Sequence, residues 1–305
     1  MGGFTVLGEV VVDRIQKSDS VQEIPGGSAA NCALALTRIS SNVKFLARFS
    51  TDQYGELLYQ NALNNRLDVS DSVRSAQPAT VVNVVLTDDG SPSYEFNLTG
   101  CADWNWEENE LANHDLTNQT ALVYGSLAAI LDSSFTTLQK WLAANKSENL
   151  LIAYDPNARP SAIAPENADL MRNRILQLVR SANVVKVSDE DLEWIAPNSD
   201  PLKIASSWSQ LGPDLVVLTK GSNGACAFRN GVCIANVPGV KINVMDTVGA
   251  GDTLMAWLVA GLVEAPLSSR FNAGLVENVL RKAVRAAAIT CSRSGCNPPI
   301  LSEVS

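Results

Sequence analysis

Residues 246–252 read Asp246-Thr247-Val248-Gly249-Ala250-Gly251-Asp252, and this heptapeptide guides the interpretation of the whole chain. It stands between the apolar, β-branched run Val237–Met245 and the apolar helical pattern Thr253–Val263. A Gly-Ala-Gly turn that opens a helix presents backbone N–H groups without helical partners, and the positive end of the helix dipole adds to them. The stretch therefore predicts an anion site at the N-terminus of a helix.

Asp252 is a carboxylate inside this predicted anion site, where it would repel a bound phosphate. One interpretation is chemical: Asp252 accepts the proton of an alcohol, while the amides of Gly249, Ala250 and Gly251 hold the phosphoryl group that the alcohol attacks. The other interpretation is structural, because Asp is a favoured N-cap residue. The heptapeptide alone leaves both open.

Length and composition restrict the class of protein. The 305 residues are enough for one large α/β domain with an embellishment, or for two modest domains. Hydrophobic residues make up 46% of the chain, which permits a large core and excludes global disorder. The net charge of -9 argues against a basic surface for nucleic acid or an anionic membrane. Local donors must therefore hold any anionic ligand.

The cysteine and histidine content argues against a zinc site. The six cysteines form no Cys-x-x-Cys pair, and His114 is the single histidine. The N-terminus carries no signal peptide pattern, and no apolar run is long enough to span a bilayer. We therefore expect a cytoplasmic protein with reduced thiols.

Short apolar runs alternate with helical patterns along the chain. The predicted strands are Phe4–Val12, Val43–Phe49, Ala121–Val123, Leu150–Tyr154, Val184–Val187, Leu215–Thr219, Ala225–Phe228 and Val232–Ala235. The predicted helices are Ser28–Ile39, Gly55–Asn65, Ser134–Asn145, Ala168–Ser181, Ile204–Leu211, Thr253–Val263 and Val276–Thr290. The alternation predicts an α/β fold whose mostly parallel central sheet is flanked by helices on both faces.

Two segments interrupt this alternation. Val11–Pro25 begins as a strand and becomes polar, and Thr80–Leu86 with Ser93–Leu98 reads as a hairpin around Asp89-Gly90. The interpretation is a small accessory sheet that covers its apolar face with the main domain, a ligand or a second subunit. A decorative surface hairpin is the alternative.

A second glycine-rich stretch reads Pro25-Gly26-Gly27-Ser28-Ala29-Ala30-Asn31 and leads into the first long helix. Gly26 and Gly27 let the backbone approach a ligand closely. Asn31 offers both a donor and an acceptor, as a sugar hydroxyl requires. A solvent-facing Asn31 is the alternative.

Taken in order, these motifs resemble the ribokinase-like (PfkB) carbohydrate kinases, in particular the fructokinase-like branch, from Gly8 to about Pro299. The motifs are Gly8-Glu9 with Asp13, Gly26-Gly27-x-x-Ala30-Asn31, Asp155-Pro156-Asn157-Ala158-Arg159-Pro160, Lys186–Leu192, Thr219–Gly224 and Asp246–Asp252. The resemblance implies one Rossmann-like domain over residues 1–305. It also implies a small β-sheet lid formed by segments of about 11–25 and 79–104.

The resemblance further implies transfer of the γ-phosphate of ATP to a hydroxyl of a monosaccharide, with fructose as the first choice. The implied catalytic residues are the base Asp252 and the amides of Gly249, Ala250 and Gly251. The implied sugar-binding residues are Asp13, Gly26, Gly27, Asn31 and Arg159. The implied nucleotide-binding residues are Ser188, Thr219, Gly221 and Gly224.

The expected cofactors are ATP and magnesium (Mg2+), with potassium (K+) as an activator. Asp191 is expected to reach magnesium through water, and the carbonyls of Asp246 and Val248 to hold the monovalent cation. Two residues depart from the family pattern: Ser188 replaces the Asn of many members, and Asp191 replaces their Glu. The shorter Asp191 raises the alternative that Glu190 takes over its contact.

The expected partners are a small-molecule sugar and ATP, with neither nucleic acid nor membrane, and a homodimer formed through the lid. Ribose, 2-keto-3-deoxygluconate and a nucleoside remain alternative substrates, and a non-catalytic sugar- or nucleotide-binding sensor remains an alternative class. A dinucleotide oxidoreductase is excluded because no Gly-x-Gly-x-x-Gly turn follows the first strand. Trp104 and Trp106 are expected at the junction between lid and domain rather than on the sugar.

Overall fold

A computed structural model describes residues 2–16, 20–86 and 92–304 of the protein. The strands are β1 (Gly3–Leu7), β2 (Val11–Gln16), β3 (Val21–Gly26), β4 (Val43–Leu46), β5 (Arg48–Ser50), β6 (Val73–Ser75), β7 (Thr80–Leu86), β8 (Pro92–Phe96), β9 (Gln119–Gly125), β10 (Leu151–Asp155), β11 (Val184–Ser188), β12 (Leu215–Thr219), β13 (Ala225–Arg229) and β14 (Val232–Val237). The helices are α1 (Ser28–Thr37), α2 (Gln53–Asn64), α3 (Glu108–Ala112), α4 (Ser126–Ile130), α5 (Asp132–Asn145), α6 (Ala168–Ser181), α7 (Asp189–Ile195), α8 (Pro201–Trp208), α9 (Ala250–Val263), α10 (Ala273–Cys291) and α11 (Leu301–Val304).

The central sheet has eight strands in the order β14-β13-β12-β11-β10-β9-β1-β4. The six strands from β12 to β4 run parallel, and β13 and β14 add an antiparallel edge. This architecture confirms the predicted α/β fold with a mostly parallel sheet. The buried strands read as continuous apolar runs because helices cover both faces.

Alternate residues of each central strand point to opposite helical layers. Val6 of β1 and Val123 of β9 pack in one hydrophobic cluster with Leu254 of α9. Leu7 and the neighbouring strand residue Tyr124 pack in a second cluster with Trp141 of α5. The sheet is thereby fixed between two layers, and the ends of its strands hold their side chains in defined positions.

A second sheet of four strands has the order β3-β2-β7-β8 and is built from the two segments that interrupt the alternation. β2 pairs with β7 in parallel, and the hairpin β7–β8 is antiparallel. The predicted turn around Asp89-Gly90 lies outside the described residues. Trp104 and Trp106 are buried beside this sheet in the same cluster as Val82, consistent with the expected junction.

Two predicted strands are each divided between two sheets. The run Phe4–Val12 forms β1 and β2, because the chain leaves the central sheet after Leu7 and enters the second sheet. The run Val43–Phe49 forms β4 of the central sheet and most of β5, which pairs with β6 in a separate two-stranded sheet. The apolar run that precedes the heptapeptide forms no strand beyond Val237, where β14 ends and Pro238 has no backbone N–H to continue a ladder. The heptapeptide at 246–252 therefore follows a loop.

The predicted helices fit the observed ranges to within a few residues, although the periodicity did not predict the short helices α3, α4, α7 and α11. Within 2–16, 20–86 and 92–304, none of the helices is sufficiently long and apolar to traverse a membrane.

Candidate active site

The glycine-rich heptapeptide forms the start of α9. Gly249 is the N-cap with φ 76°, a left-handed conformation that a residue with a side chain adopts only at a cost. A Cβ atom at this position would also overlap the Sγ of Cys296. The N–H of Ala250 donates to the carbonyl of Thr247 at 3.3 Å, so one of the donors of the predicted anion site also forms a hydrogen bond within the turn.

Asp252 lies in the first turn of α9 and is only 7% exposed. Its Oδ1 accepts a hydrogen bond from Ser28 Oγ at 2.7 Å, and its Oδ2 accepts one from Asn31 Nδ2 at 2.9 Å. The capping interpretation is wrong, because Gly249 is the N-cap and the Asp252 side chain points to α1 instead. The two helix N-termini thus meet at one carboxylate.

Burial raises the pKa of Asp252, while the hydrogen bonds from Ser28 and Asn31 and the cations Lys186 and Arg159 act against this rise. The net direction is upward. A carboxylate with a raised pKa and two fixed donors is suited to accept a proton from a neighbouring group.

The start of α1 is held by a second buried carboxylate. Glu9 lies in the short loop between β1 and β2, and its Oε1 accepts the backbone N–H of Ser28 at 3.2 Å. Gly27 directly precedes α1, and its carbonyl accepts the N–H of Asn31 at 2.9 Å. Through its Nδ2 hydrogen bond to Asp252, Asn31, which is predicted to bind the sugar, also contacts the predicted base.

Asp13, Gly26 and Arg159 belong to the same end of the molecule. The Asp13 Oδ2 atom lies 2.6 Å from the position that a Cβ would take on Gly26, so a side chain at Gly26 would displace this carboxylate. Burial raises the pKa of Asp13 to about 6, and the charge of Arg159 lowers it. Arg159 also acts electrostatically on Glu9 and Asp252. The structure therefore brings these predicted sugar-binding residues close to the predicted base.

Sequence reasoning gave no role to a buried ion pair beneath this site. Lys186 Nζ on β11 lies 2.9 Å from Asp155 Oδ2 on β10, and their side chains are 5% and 7% exposed. Lys186 Nζ also lies 3.1 Å from the Cβ position of Gly251. The available signal was a lysine inside the apolar strand Val184–Val187, since buried lysines are almost always paired.

The two charges of this pair influence each other. Burial raises the pKa of the Asp155 carboxyl to about 7, although the adjacent Lys186 ammonium lowers it. Burial lowers the pKa of Lys186, but the negative charges of Asp155 and Asp191 raise it by more than this, so the net shift is upward. The short contact supports a charged pair, in which Asp155 Oδ1 has no hydrogen-bond partner among the described residues.

Ser188 and Asp191 form a capping box at the start of α7. Asp191 Oδ2 accepts the N–H of Ser188 at 3.0 Å, and its Oδ1 accepts the N–H of Ala158 at 2.7 Å. Asp191 therefore joins α7 to the loop that carries Arg159. Both of its oxygens are engaged by backbone, which leaves only their remaining lone pairs for a water-mediated contact.

The remaining predicted nucleotide residues lie at the end of the adjacent strand and in the turn that follows it. Thr219 ends β12 directly opposite Ser188. Gly221 begins the short 3₁₀ turn Gly221–Asn223, and Gly224 follows this turn. The structure therefore groups Ser188, Thr219 and the two glycines at the carboxyl ends of the neighbouring strands β11 and β12.

The Asp246 carboxylate joins two loops beside Gly249. Its Oδ1 accepts the N–H of Val248 at 3.0 Å, and its Oδ2 accepts the N–H of Gly295 at 2.9 Å. The carbonyl-bearing loop 246–248 is thereby held against the loop that follows α10. Among the described ranges, no group of three or more His, Cys, Asp or Glu residues is arranged to hold a metal ion.

A model of the pfkB family carbohydrate kinases matches residues 3–303. The chain belongs to the pfkB family of carbohydrate kinases. The predicted family and enzyme class are thus confirmed. A fructokinase from Rhizobium leguminosarum bv. trifolii is 29% identical over 90% of this chain and 84% of its own. Fructokinase-1 from Zea mays is 27% identical over 97% of this chain and 94% of its own.

Solved structures share the fold of this kinase. A Vibrio cholerae O395 fructokinase double mutant with fructose, ADP and potassium ion bound has a TM-score of 0.86 at 22% identity, covering 100% of this chain and 97% of its own. A Xylella fastidiosa fructokinase with bound ATP has a TM-score of 0.87 at 20% identity, covering 99% and 96%. An aminoimidazole riboside kinase from Salmonella enterica has a TM-score of 0.80 at 19% identity, covering 99% and 98%.

Proposed function

We propose that this kinase transfers the γ-phosphate of ATP to a hydroxyl of fructose. The observation that carries the proposal is the buried Asp252 carboxylate at the N-terminus of α9, held on both oxygens by α1. The fructokinase relatives and the neighbour with bound fructose and ADP support this choice of sugar.

In the proposed mechanism, Asp252 accepts the proton of the attacking sugar hydroxyl. An ionised carboxylate has about four lone-pair sites, and Ser28 and Asn31 use one on each oxygen. A lone pair is left for the sugar hydroxyl. Because the proton moves to a fixed acceptor, the alcohol becomes nucleophilic as the phosphoryl group approaches.

The start of α9 would stabilise the transferring phosphoryl group. The backbone N–H groups of Gly249, Ala250 and Gly251 lie at the positive end of the helix, where they favour negative charge. Lys186 lies directly below Gly251 and adds a positive charge beneath the same turn. Loss of one preorganised donor in such a site typically lowers the rate by about 10²–10³.

Asp13, Gly26, Gly27, Asn31 and Arg159 would bind the sugar hydroxyls. The sheet β3-β2-β7-β8 would act as a lid, because Asp13 and Gly26 lie on two of its strands. The edge strand β3 would pair with the lid of a second copy, since an open strand edge otherwise invites aggregation.

Ser188, Thr219, Gly221 and Gly224 would line the ATP site. Magnesium, when bound, neutralises charge between the phosphates. The residues present fit an ion held mainly by phosphates and water, with Asp191 as an outer contact, because Asp191 already accepts two backbone N–H groups. Potassium fits the carbonyls of Asp246 and Val248, which the Asp246 side chain holds against the loop at Gly295.

The test is ADP release by the purified kinase with ATP, magnesium and potassium, across fructose, ribose, 2-keto-3-deoxygluconate and nucleosides. The proposal expects the highest kcat/KM for fructose. A higher value for another member of the panel would contradict the choice of sugar while retaining the mechanism. ATP binding without turnover on any of them would favour a non-catalytic sensor.

A further inference from the structure

We propose that Ser28 is a positioning residue that holds the catalytic base through its side-chain hydroxyl. This inference rests on the proposed function, since it requires Asp252 to act as the base. It concerns a residue that the sequence motifs passed over: Ser28 stands at one of the unspecified positions between Gly27 and Ala30.

The geometry around Ser28 is that of a fixed donor. Ser28 is the first residue of α1, and its Oγ lies 2.7 Å from Asp252 Oδ1, an ideal distance for an O–H···O hydrogen bond. Asn31 lies three residues later on the same helical face and donates to Asp252 Oδ2. Each donor forms a hydrogen bond with one oxygen of Asp252, and together they fix the rotation of its carboxylate.

Ser28 is itself held in place by Glu9. The Glu9 carboxylate is 4% exposed and accepts the backbone N–H of Ser28 at 3.2 Å. A buried carboxylate at a helix N-terminus is favoured by the helix dipole. Hydrogen bonds through Ser28 therefore connect Glu9, in the loop between β1 and β2, to Asp252 at the start of α9.

The hydroxyl of Ser28 has a definite effect on proton transfer. A hydrogen bond to the ionised form of a carboxylate favours that form, and Ser28 acts in this direction on Asp252. Replacement by alanine removes this donor, so that only the hydrogen bond from Asn31 to Oδ2 still restricts the rotation of the Asp252 carboxylate. The other titratable groups that act on Asp252, or on which it acts, are Glu9, Cys32, Asp155, Arg159, Lys186 and Cys296.

The experiment compares kcat as a function of pH for the wild type and three variants, with saturating ATP, magnesium and the best sugar of the panel. Ser28→Ala should lower kcat about ten-fold, because a hydrogen bond to a charged group is lost. It should also move the acid limb of the kcat profile to higher pH. Ser28→Thr keeps the hydroxyl and should restore both. Ser206→Ala is the matched control, since it loses a 2.7 Å hydrogen bond to Gly231 far from this site.

The outcomes separate this inference from the proposed function. Wild-type kcat and an unchanged acid limb in Ser28→Ala would overturn the positioning role, and so would a loss that is equal at every pH. An inactive wild type would instead refute the proposed function. An active Asp252→Asn variant, assayed beside these three, would refute the base assignment and with it the positioning role of Ser28. Thermal melting of each variant confirms that the fold is retained.

Discussion

Replacing Lys186 by methionine should destabilise the fold by about 3–5 kcal/mol near neutral pH. The side chains of Lys186 and Asp155 are almost fully buried, and their charges lie 2.9 Å apart. Methionine has a similar length but carries no charge, so the variant leaves Asp155 buried without its cation. The second oxygen of Asp155 already has no hydrogen-bond partner among the described residues, which gives the carboxylate no alternative.

The penalty should depend on pH in a defined direction. The Lys186 ammonium lowers the pKa of Asp155, so its removal raises the folded-state pKa of Asp155 further above the value in the unfolded chain. A raised folded-state pKa gives stability that is present at low pH and lost as the pH rises through that pKa. The destabilisation should therefore be larger near about pH 8 than near about pH 5.

The assay is urea unfolding of the wild type and Lys186→Met at both pH values, with the midpoint and slope fitted together. The double variant Lys186→Met/Asp155→Asn is the matched control, because it removes both charges and should recover most of the loss. A single-variant loss below about 1 kcal/mol would refute a tightly coupled buried pair. A loss that is equal at both pH values would refute it as well.

Two further predictions concern the backbone of α9 and the second sheet. Gly249→Ala should lower the free energy of unfolding by about 1–2 kcal/mol because of the left-handed φ, in addition to the cost of the overlap with Cys296, and should lower kcat. Thermal melting and kcat measurements check this, and the double variant Gly249→Ala/Cys296→Gly is the control because its second change relieves only the overlap. Asp103→Asn should stabilise the protein by on the order of 1–3 kcal/mol at high pH but not at low pH, because burial raises the pKa of Asp103 to about 7; urea unfolding across pH checks this.

The sign for Asp103 follows from its raised pKa. The stability that it contributes is complete below its unfolded-state pKa and is lost as the pH rises through about 7. Asparagine keeps an acceptor for the N–H of Thr80, which Asp103 Oδ2 binds at 3.1 Å, and does not ionise. Equal pH profiles for the two proteins would contradict the prediction. Full recovery of Gly249→Ala by Cys296→Gly would contradict the backbone cost.

Local sequence patterns predicted most elements of the central fold. The strand Leu215–Thr219 and the helix Ala168–Ser181 have the predicted bounds, since their periodicity is uninterrupted and turn residues flank them. The break after Leu7 was missed because every residue from Phe4 to Val12 is buried, so the run gives no signal where the chain changes sheet.

The candidate site could be predicted only in part. The heptapeptide identified Asp252, because a carboxylate in a glycine-rich helix start is itself unusual. Its contact with Ser28 spans 224 positions of the sequence and depends on how α1 and α9 pack. The pair of Lys186 and Asp155 likewise depends on the register of neighbouring parallel strands. Such contacts are set by tertiary structure, and a local pattern such as a lysine inside an apolar strand shows that a partner is needed but not which residue it is.

The most direct test of the central claim is the turnover of Asp252→Asn with ATP, magnesium and the preferred sugar. Asparagine preserves the size of the side chain but is not a base, so kcat should fall by about 10²–10⁴. Calorimetric binding of ATP and sugar should remain close to that of the wild type, because the fold and the other contacts persist. A correctly folded Asp252→Asn variant with a kcat within about ten-fold of the wild type would contradict Asp252 as the catalytic base.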